Sequence, residues 1–273
     1  MQSERDNIQR DLTLIEDSVG GRLGVCAVDT DTGKQVGNRM DERFAMCSTF
    51  KWVLAAAVLD RVDRGVLSLD DRIPYSANDL LDHAPVTSAR VAEGALPVDD
   101  LVRAAVVVSD NTATNLLLAK IGGPEMVTGY LRRCGDGVTR LDRVEPLLNE
   151  NAPGDVRDTT TPRAMARLMV SILCGDMLSK DSRERLLGWL RACETGRERL
   201  RAGLPADWVV GDKTGSGANG ACNDVAIVVP PGRKPVVIAS YMSDGVVGVS
   251  ALNEGHAEVA RVVGRWVLGQ TSD

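Results

Sequence analysis

Ser48-Thr49-Phe50-Lys51 sets a hydroxyl and an amine three residues apart at the head of the best apolar stripe in the chain, Val53, Leu54, Ala57, Val58 and Val62, closed by Gly65. On a helix those two side chains share one face. Serine is a poor nucleophile until a base takes its proton, and a lysine near other cations or in a dry pocket is neutral enough to take part. A helix N-terminus adds its dipole and free amide hydrogens, which favour a developing oxyanion. The spacing alone is commonplace, since a serine cap followed by a lysine opens many helices. Two further groups change its weight. Ser109-Asp110-Asn111 breaks the apolar run ending at Val108, and Lys213-Thr214-Gly215 follows the strand-like Trp208-Val209-Val210. Of only six lysines, two stand in these motifs.

The elements that must position these groups are legible from periodicity. Ile8, Leu12 and Ile15 have helical spacing, and Leu23, Val25 and Ala27 alternate toward the turn Thr30-Asp31-Thr32-Gly33, so a helix and then a hairpin are expected. Asp224 to Val229 and Pro235 to Tyr241 flank the turn Pro230-Pro231-Gly232, and Val259, Val262, Val263, Trp266 and Val267 mark a last amphipathic helix. Between about residues 44 and 195 the period is mostly helical. The expected fold class is α/β (α+β): an antiparallel sheet built from both chain ends and flanked by helices, residues 1–43 and 196–273, beside an all-helical lobe, residues 44–195. The active site then falls between the lobes.

Composition narrows the function. The 273 residues carry 32 basic and 38 acidic side chains with no basic stripe, which argues against a nucleic-acid partner. The longest apolar run, Trp52 to Leu59, is far short of the roughly 18 residues of a membrane span. The start Met1-Gln2-Ser3-Glu4-Arg5-Asp6 lacks the apolar core of a signal peptide, so the chain is cytosolic or has lost a targeting segment. Cys26, Cys47, Cys134, Cys174, Cys193 and Cys222 form no Cys-x-x-Cys pair, and neither His83 nor His256 has a ligand-spaced neighbour, so no metal or other cofactor is expected. Disulfides and buried free thiols are equally compatible with the even count. His256 has no serine signature near it and is assigned a structural role.

Taken together, the three motifs resemble those of the serine β-lactamase and penicillin-binding protein superfamily. Arg143-Val144-Glu145-Pro146, then Asn149, then Arg157-Asp158-Thr159-Thr160-Thr161-Pro162 narrow the resemblance to class A β-lactamases, whose Ω-loop they match over residues 143–158. The likeness runs across nearly the whole chain. It implies that Glu145 is pinned over the nucleophile, that Arg143 and Asp158 close the loop base as an ion pair, and that the peptide before Pro146 is cis.

The mechanism implied by the resemblance starts with Ser48, deprotonated by Lys51 or by Glu145 through a water, attacking a β-lactam carbonyl; both bases stay open at this stage. The backbone amides of Ser48 and Ser216 form the oxyanion hole, and Ser109 passes a proton to the leaving nitrogen under the influence of Lys51 and Lys213. Glu145 with Asn149 then activates the water that frees the acyl-enzyme. Lys213, Thr214 and Ser216 suit the substrate carboxylate, and Asn111 its side-chain amide.

The sequence also departs from the family pattern. Cys222 stands where many relatives carry an arginine after Lys-Thr-Gly; Arg199, just before Leu204-Pro205, matches the alternative site of that arginine and is expected to replace it. Gly217 occupies the position that, in certain carbapenem-hydrolysing relatives, pairs with the cysteine before the nucleophile, so Cys47 has no such partner. His83 matches a rim position usually aromatic, where stacking on substrate and a solvated loop histidine both stand open. The implied protein is a monomer, periplasmic or secreted, acting on penicillins and cephalosporins. A DD-peptidase, or a sensor domain acylated without turnover, shares the serine-lysine machinery; Glu145 and Asn149 argue against the first, and the absence of an adjoining membrane segment against the second.

Overall fold

The computed structural model describes residues 2–269; Met1 and residues 270–273, the outer ends of the expected sheet lobe, lie outside the described residues. Both chain ends feed one five-stranded antiparallel sheet. Its strands are β1 (Arg22–Asp29), β2 (Gln35–Asn38), β3 (Val209–Ser216), β4 (Cys222–Val229) and β5 (Val236–Ser243), in the spatial order β2-β1-β5-β4-β3. β3 is therefore an edge strand, and the Lys213-Thr214-Gly215 triplet sits on that edge. The register pairs Lys213 with Val225 and Ser216 with Cys222.

Alternation along the strands sends one set of side chains to each face. Val25, Ala27, Ala226 and Ile238 pack under the N-terminal helix (Gln2–Val19) and the C-terminal helix (Val249–Gly269), meeting Leu12, Val259, Val263 and Trp266. Cys26, Val225, Val237 and Tyr241 face the other way, into a larger core with the helices of residues 44–195. That core surrounds the helix Lys51–Asp63, whose residues Lys51 to Asp60 are all buried. A helix buried all round cannot be read by amphipathic period alone, which is why its run Trp52 to Leu59 is continuously apolar.

Two short ladders stand within this otherwise helical segment: Phe44–Ala45 with Thr159–Thr160, and Arg72–Pro74 with Ala95–Pro97. The first ties the residues just before the nucleophile to the end of the Ω-loop. No described helix is long and apolar enough to cross a membrane.

Candidate active site

Ser48 does not open an α-helix directly. Cys47–Phe50 is a 3₁₀ turn that leads into the α-helix at Lys51, with the Lys51 amide bonded to the Ser48 carbonyl. The cause is local: Met46 O accepts both the Thr49 amide at 3.2 Å and the Thr49 hydroxyl at 2.8 Å, while Cys47 takes a positive φ of 46°. A 3₁₀ turn eclipses positions i and i+3, so Ser48 and Lys51 still emerge on one side. Asn223, on β4, clamps the turn by donating to the carbonyls of Ala45 at 2.9 Å and Met46 at 3.1 Å.

Lys51 is wholly buried and its ammonium meets four acceptors: Asn111 Oδ1 at 2.6 Å, Ser109 O at 2.9 Å, Glu145 Oε1 at 2.9 Å and Ser109 Oγ at 3.2 Å. Burial lowers its pKa, and the Glu145 carboxylate opposes that fall. The Ser48 hydroxyl finds its partner in Glu145 Oε1 at 3.4 Å, and not in Lys51. Lys213, equally buried, donates to Ser109 Oγ at 3.2 Å and Thr214 O at 2.9 Å. Burial pulls its pKa down to about 8, and the nearby Lys51 charge pulls the same way. The Ser109 hydroxyl thus stands between two ammonium groups.

Glu145 is held in place from two sides. The Asn115 side chain accepts from the Glu145 amide at 3.0 Å and donates to its carbonyl at 2.9 Å. Asn149 Nδ2 donates to Glu145 Oε2, while Asn149 Oδ1 is buried without a hydrogen-bond partner. The Glu145-Pro146 peptide is cis. At the loop base Arg143 pairs with Asp158 and Glu150, and Asp158 Oδ1 accepts the amides of Asp142 at 2.7 Å and Arg143 at 2.9 Å.

Ser48, His83, Ser109, Asn111, Asn149, Thr195, Arg199, Thr214 and Ser216 open onto one cleft of about 340 Å³. Arg199 is buried and reaches the Ser216 hydroxyl at 2.8 Å, with further bonds to Gly215 O, Asn223 O and Asn253. Among the described residues no carboxylate pairs with it. Asn111 spends Nδ2 on Asp82 O at 3.0 Å and one lone pair of Oδ1 on Lys51, leaving the other lone pair free. His83 is exposed at the rim, its φ is 57°, and its Nε2 lies 2.9 Å from Val108 O.

The close approach of β3 to Ser48 depends on Gly215, where a Cβ would lie 2.7 Å from Met46 O and 3.0 Å from the Ser48 amide nitrogen. Gly217 faces Cys47 as expected, since a Cβ there would lie 2.7 Å from Cys47 Sγ. All six cysteines are free thiols. A larger hollow of about 460 Å³ lies against the Ω-loop between Arg22, Arg43 and Asp155, and Ser48, Lys51, Ser109, Glu145 and Lys213 are not among the residues lining it.

Residues 6–267 match the model of the β-lactamase enzyme family. The chain belongs to that family. It is 47% identical to β-lactamase L2 of Stenotrophomonas maltophilia over 94% of this chain and 85% of the relative. Against β-lactamase AST-1 of Nocardia asteroides the identity is 49%, over 91% and 80% of the two chains. Among solved structures, an ancestral class A β-lactamase superposes with a TM-score of 0.92 at 54% identity, covering 94% of this chain and 98% of that one. A β-lactamase from Xanthomonas campestris reaches 0.95 at 46% identity over 97% and 98%. The class A resemblance and the expected fold class are thereby borne out.

Four site residues escaped the sequence reading. Thr195 bonds the Thr214 hydroxyl, Asn115 frames Glu145, and Asn253 steadies Arg199. Asp110, quoted only as part of its motif, is fully buried and accepts from Val86, Thr87 and Ala113, which caps the helix Asn111–Ile121 and holds the loop carrying His83. Thr195, Asn115 and Asn253 act through contacts distant in sequence, so no local spacing marks them, and the reach of Asp110 to Val86 and Thr87 is equally non-local.

Proposed function

We propose that Ser48 opens the β-lactam ring of penicillins and cephalosporins and that Glu145 drives hydrolysis of the resulting ester. β-Lactam hydrolysis, and the antibiotic resistance that follows from it, is the activity of the family. The observation that carries the residue assignment is the line Ser48 Oγ, Glu145 Oε1, Lys51 Nζ, with separations of 3.4 and 2.9 Å.

In acylation Glu145 takes the Ser48 proton, directly or through one water, as the Ser48 oxygen bonds to the lactam carbonyl carbon. Lys51, engaged by four acceptors, acts here as the counter-charge 2.9 Å from the Glu145 carboxylate. The carbonyl oxygen becomes anionic against the amides of Ser48 and Ser216. Ser109 then gives its proton to the lactam nitrogen as the C–N bond breaks. Lys51, 3.2 Å from the Ser109 hydroxyl and 2.9 Å from Glu145, passes the proton that Glu145 took from Ser48 on to the Ser109 oxygen, so that Ser109 is restored and Glu145 is again a free carboxylate. Deacylation reverses the pattern on a water. The partnerless Asn149 Oδ1 beside Glu145 Oε2 is an acceptor that such a water satisfies. Glu145 removes its proton, the new hydroxide attacks the ester, and Ser48 leaves reprotonated.

Arg199 and Lys213 supply two positive charges with no carboxylate in direct ion-pair contact among the described residues, which suits the substrate carboxylate. Thr214 and Ser216 add hydroxyls to that end, Asn111 offers its free lone pair to a side-chain amide N–H, and His83 borders the same entrance. Arg143 and Asp158 hold the loop shut. We further propose a monomer, exported to the periplasm or the medium, that divides into lobes at residues 43/44 and 195/196; family resemblance supports export.

Mixing the protein with excess chromogenic cephalosporin, while following product and protein mass together, tests the assignment. Many turnovers through a transient adduct are expected. One stable adduct per chain would point to a sensor, and release of D-alanine from a peptide without cephalosporin turnover would point to a peptidase.

A further inference from the structure

Arg199 does not stand on a strand. It precedes the short helix Leu200–Gly203, a segment fastened to the sheet. Two carboxylates do the fastening. Asp224, on β4, accepts the Leu200 amide at 3.1 Å through Oδ2, and Asp212, on β3, pairs through Oδ1 with the Arg201 guanidinium, whose Nε lies 3.1 Å away. The fit is tight enough that a Cβ on Gly196 would collide with Asp212 Oδ2. Arg199 N in turn bonds Gly196 O at 3.1 Å, which closes the loop around the same carboxylate.

The register sets Asp212 opposite Ala226 and Thr214 opposite Asp224, so the two acids are diagonal neighbours on one sheet face. Neither has any solvent exposure. Each keeps one buried oxygen with no hydrogen-bond partner, Asp212 Oδ2 and Asp224 Oδ1. Two adjacent carboxylates in a dry site do not both ionise. Burial, and next the Asp212 charge, hold the Asp224 carboxyl well above the usual carboxylate range. The cations Arg199, Arg201 and Lys213 and the buried Cys193 thiol surround the pair, and on the same side the neutral His256 bonds Ser240 and Cys222 O.

We propose that Asp212 and Asp224 share one buried proton and, as a carboxyl–carboxylate pair, are positioning residues that hold Arg199 in the substrate cleft. This rests on the reading of Arg199 as a binder of the substrate carboxylate. One proton on the pair leaves a single negative charge, enough to anchor Arg201 without a second buried anion.

Carbon-13 NMR of aspartate side chains in the intact protein tests the proton. One carboxyl of the pair is expected to remain protonated at pH 7, and its signal to vanish in Asp224→Asn. Steady-state kinetics tests the positioning. Asp224→Leu is expected to raise KM for a carboxylate-bearing cephalosporin about tenfold with little change in kcat. Asp224→Asn, whose amide donates to Asp212 as the acid does, is expected to restore KM. Two ionised carboxyls at pH 7, an unchanged KM in Asp224→Leu, or an Asp224→Asn enzyme no better than Asp224→Leu would each overturn the proposal. The spectrum of the unaltered protein decides the shared proton even if Asp224→Leu fails to fold. Arg199→Ala separates the two ideas: a raised KM keeps the reading beneath the proposal, whereas an unchanged KM removes that reading and the positioning role with it while leaving the protonated carboxyl visible.

Discussion

At the level of single residues, the chemistry turns on which groups hold charge at neutral pH. Glu145 contacts the Ser48 hydroxyl while Lys51 is spent on Ser109, Asn111 and Glu145. Removing Glu145 also removes the carboxylate that opposes the burial-driven fall in the Lys51 pKa, so Lys51 is left to take the Ser48 proton in acylation while nothing activates the deacylating water. Glu145→Ala is therefore expected to lower kcat by about 10²–10⁴-fold and to accumulate acyl-enzyme, whereas Ser48→Ala forms none. Intact-protein mass spectrometry after brief mixing reads both, and equal acylation of the two variants contradicts the roles. Lys213 gives a pH signature. Its folded pKa is pulled to about 8, so its charge disappears as pH rises through that value. Binding of a carboxylate-bearing β-lactam weakens with it. The alkaline limb of kcat/KM is expected to turn down near pH 8 and to fall about tenfold per further unit; a profile flat to pH 9.5 would separate the cleft cation from substrate binding.

At the level of elements, the site is a junction between the edge strand β3 and the Ω-loop, and glycines set their separation. A Cβ on Gly217 would lie 2.6 Å from Asn149 O and 2.7 Å from Cys47 Sγ. Gly217→Ala is thus expected to push the hairpin off the loop, break the 2.9 Å bond from Ala218 N to Asn149 O, and lower kcat more than it raises KM. Adding Cys47→Ala removes one of the two obstructing atoms, so the double variant recovers part of the loss; strictly additive effects in a double-mutant cycle would refute that coupling. The loop base makes a separate prediction. Arg143→Ala leaves the buried Asp158 without its ion pair, at a cost of about 3–5 kcal/mol, nearer the lower end because two backbone amides still serve that carboxylate. Urea unfolding measures the cost, and a lengthened acyl-enzyme lifetime is expected to accompany it.

At the level of the whole molecule, the C-terminal helix is locked to the sheet through a histidine that stays neutral. His256 is fully buried, its Nδ1 meeting Ser240 Oγ at 2.9 Å and its Nε2 meeting Cys222 O at 3.0 Å. Burial lowers its pKa from 6.5 to about 3. Between those values the unfolded chain binds a proton that the folded one refuses, so this stabilisation is complete above pH 6.5 and is lost as pH falls toward 3. By pH 4 the loss amounts to about 3 kcal/mol. Stability curves at pH 7 and pH 4 are expected to diverge by that much more for the unaltered protein than for His256→Gln, and parallel curves would exclude the mechanism. The same residue shows where sequence reading stops. Short motifs were enough to single out Ser48, Lys51, Ser109 and Lys213 as candidates, because their order along the chain and their places at a helix start or a strand are local properties, whereas Glu145, in a loop without periodic spacing, was singled out only by the class A resemblance. Strand alternation and the helical period likewise disclosed the sheet at the two ends and the helices between. The tertiary structure alone decided that the Ser48 hydroxyl contacts Glu145 and not Lys51, that Asn115 frames the glutamate, and that Asp212 and Asp224 come together under Arg199. Those are contacts between side chains on separate elements, fixed by register and packing to within an ångström, a distance over which periodicity carries no information.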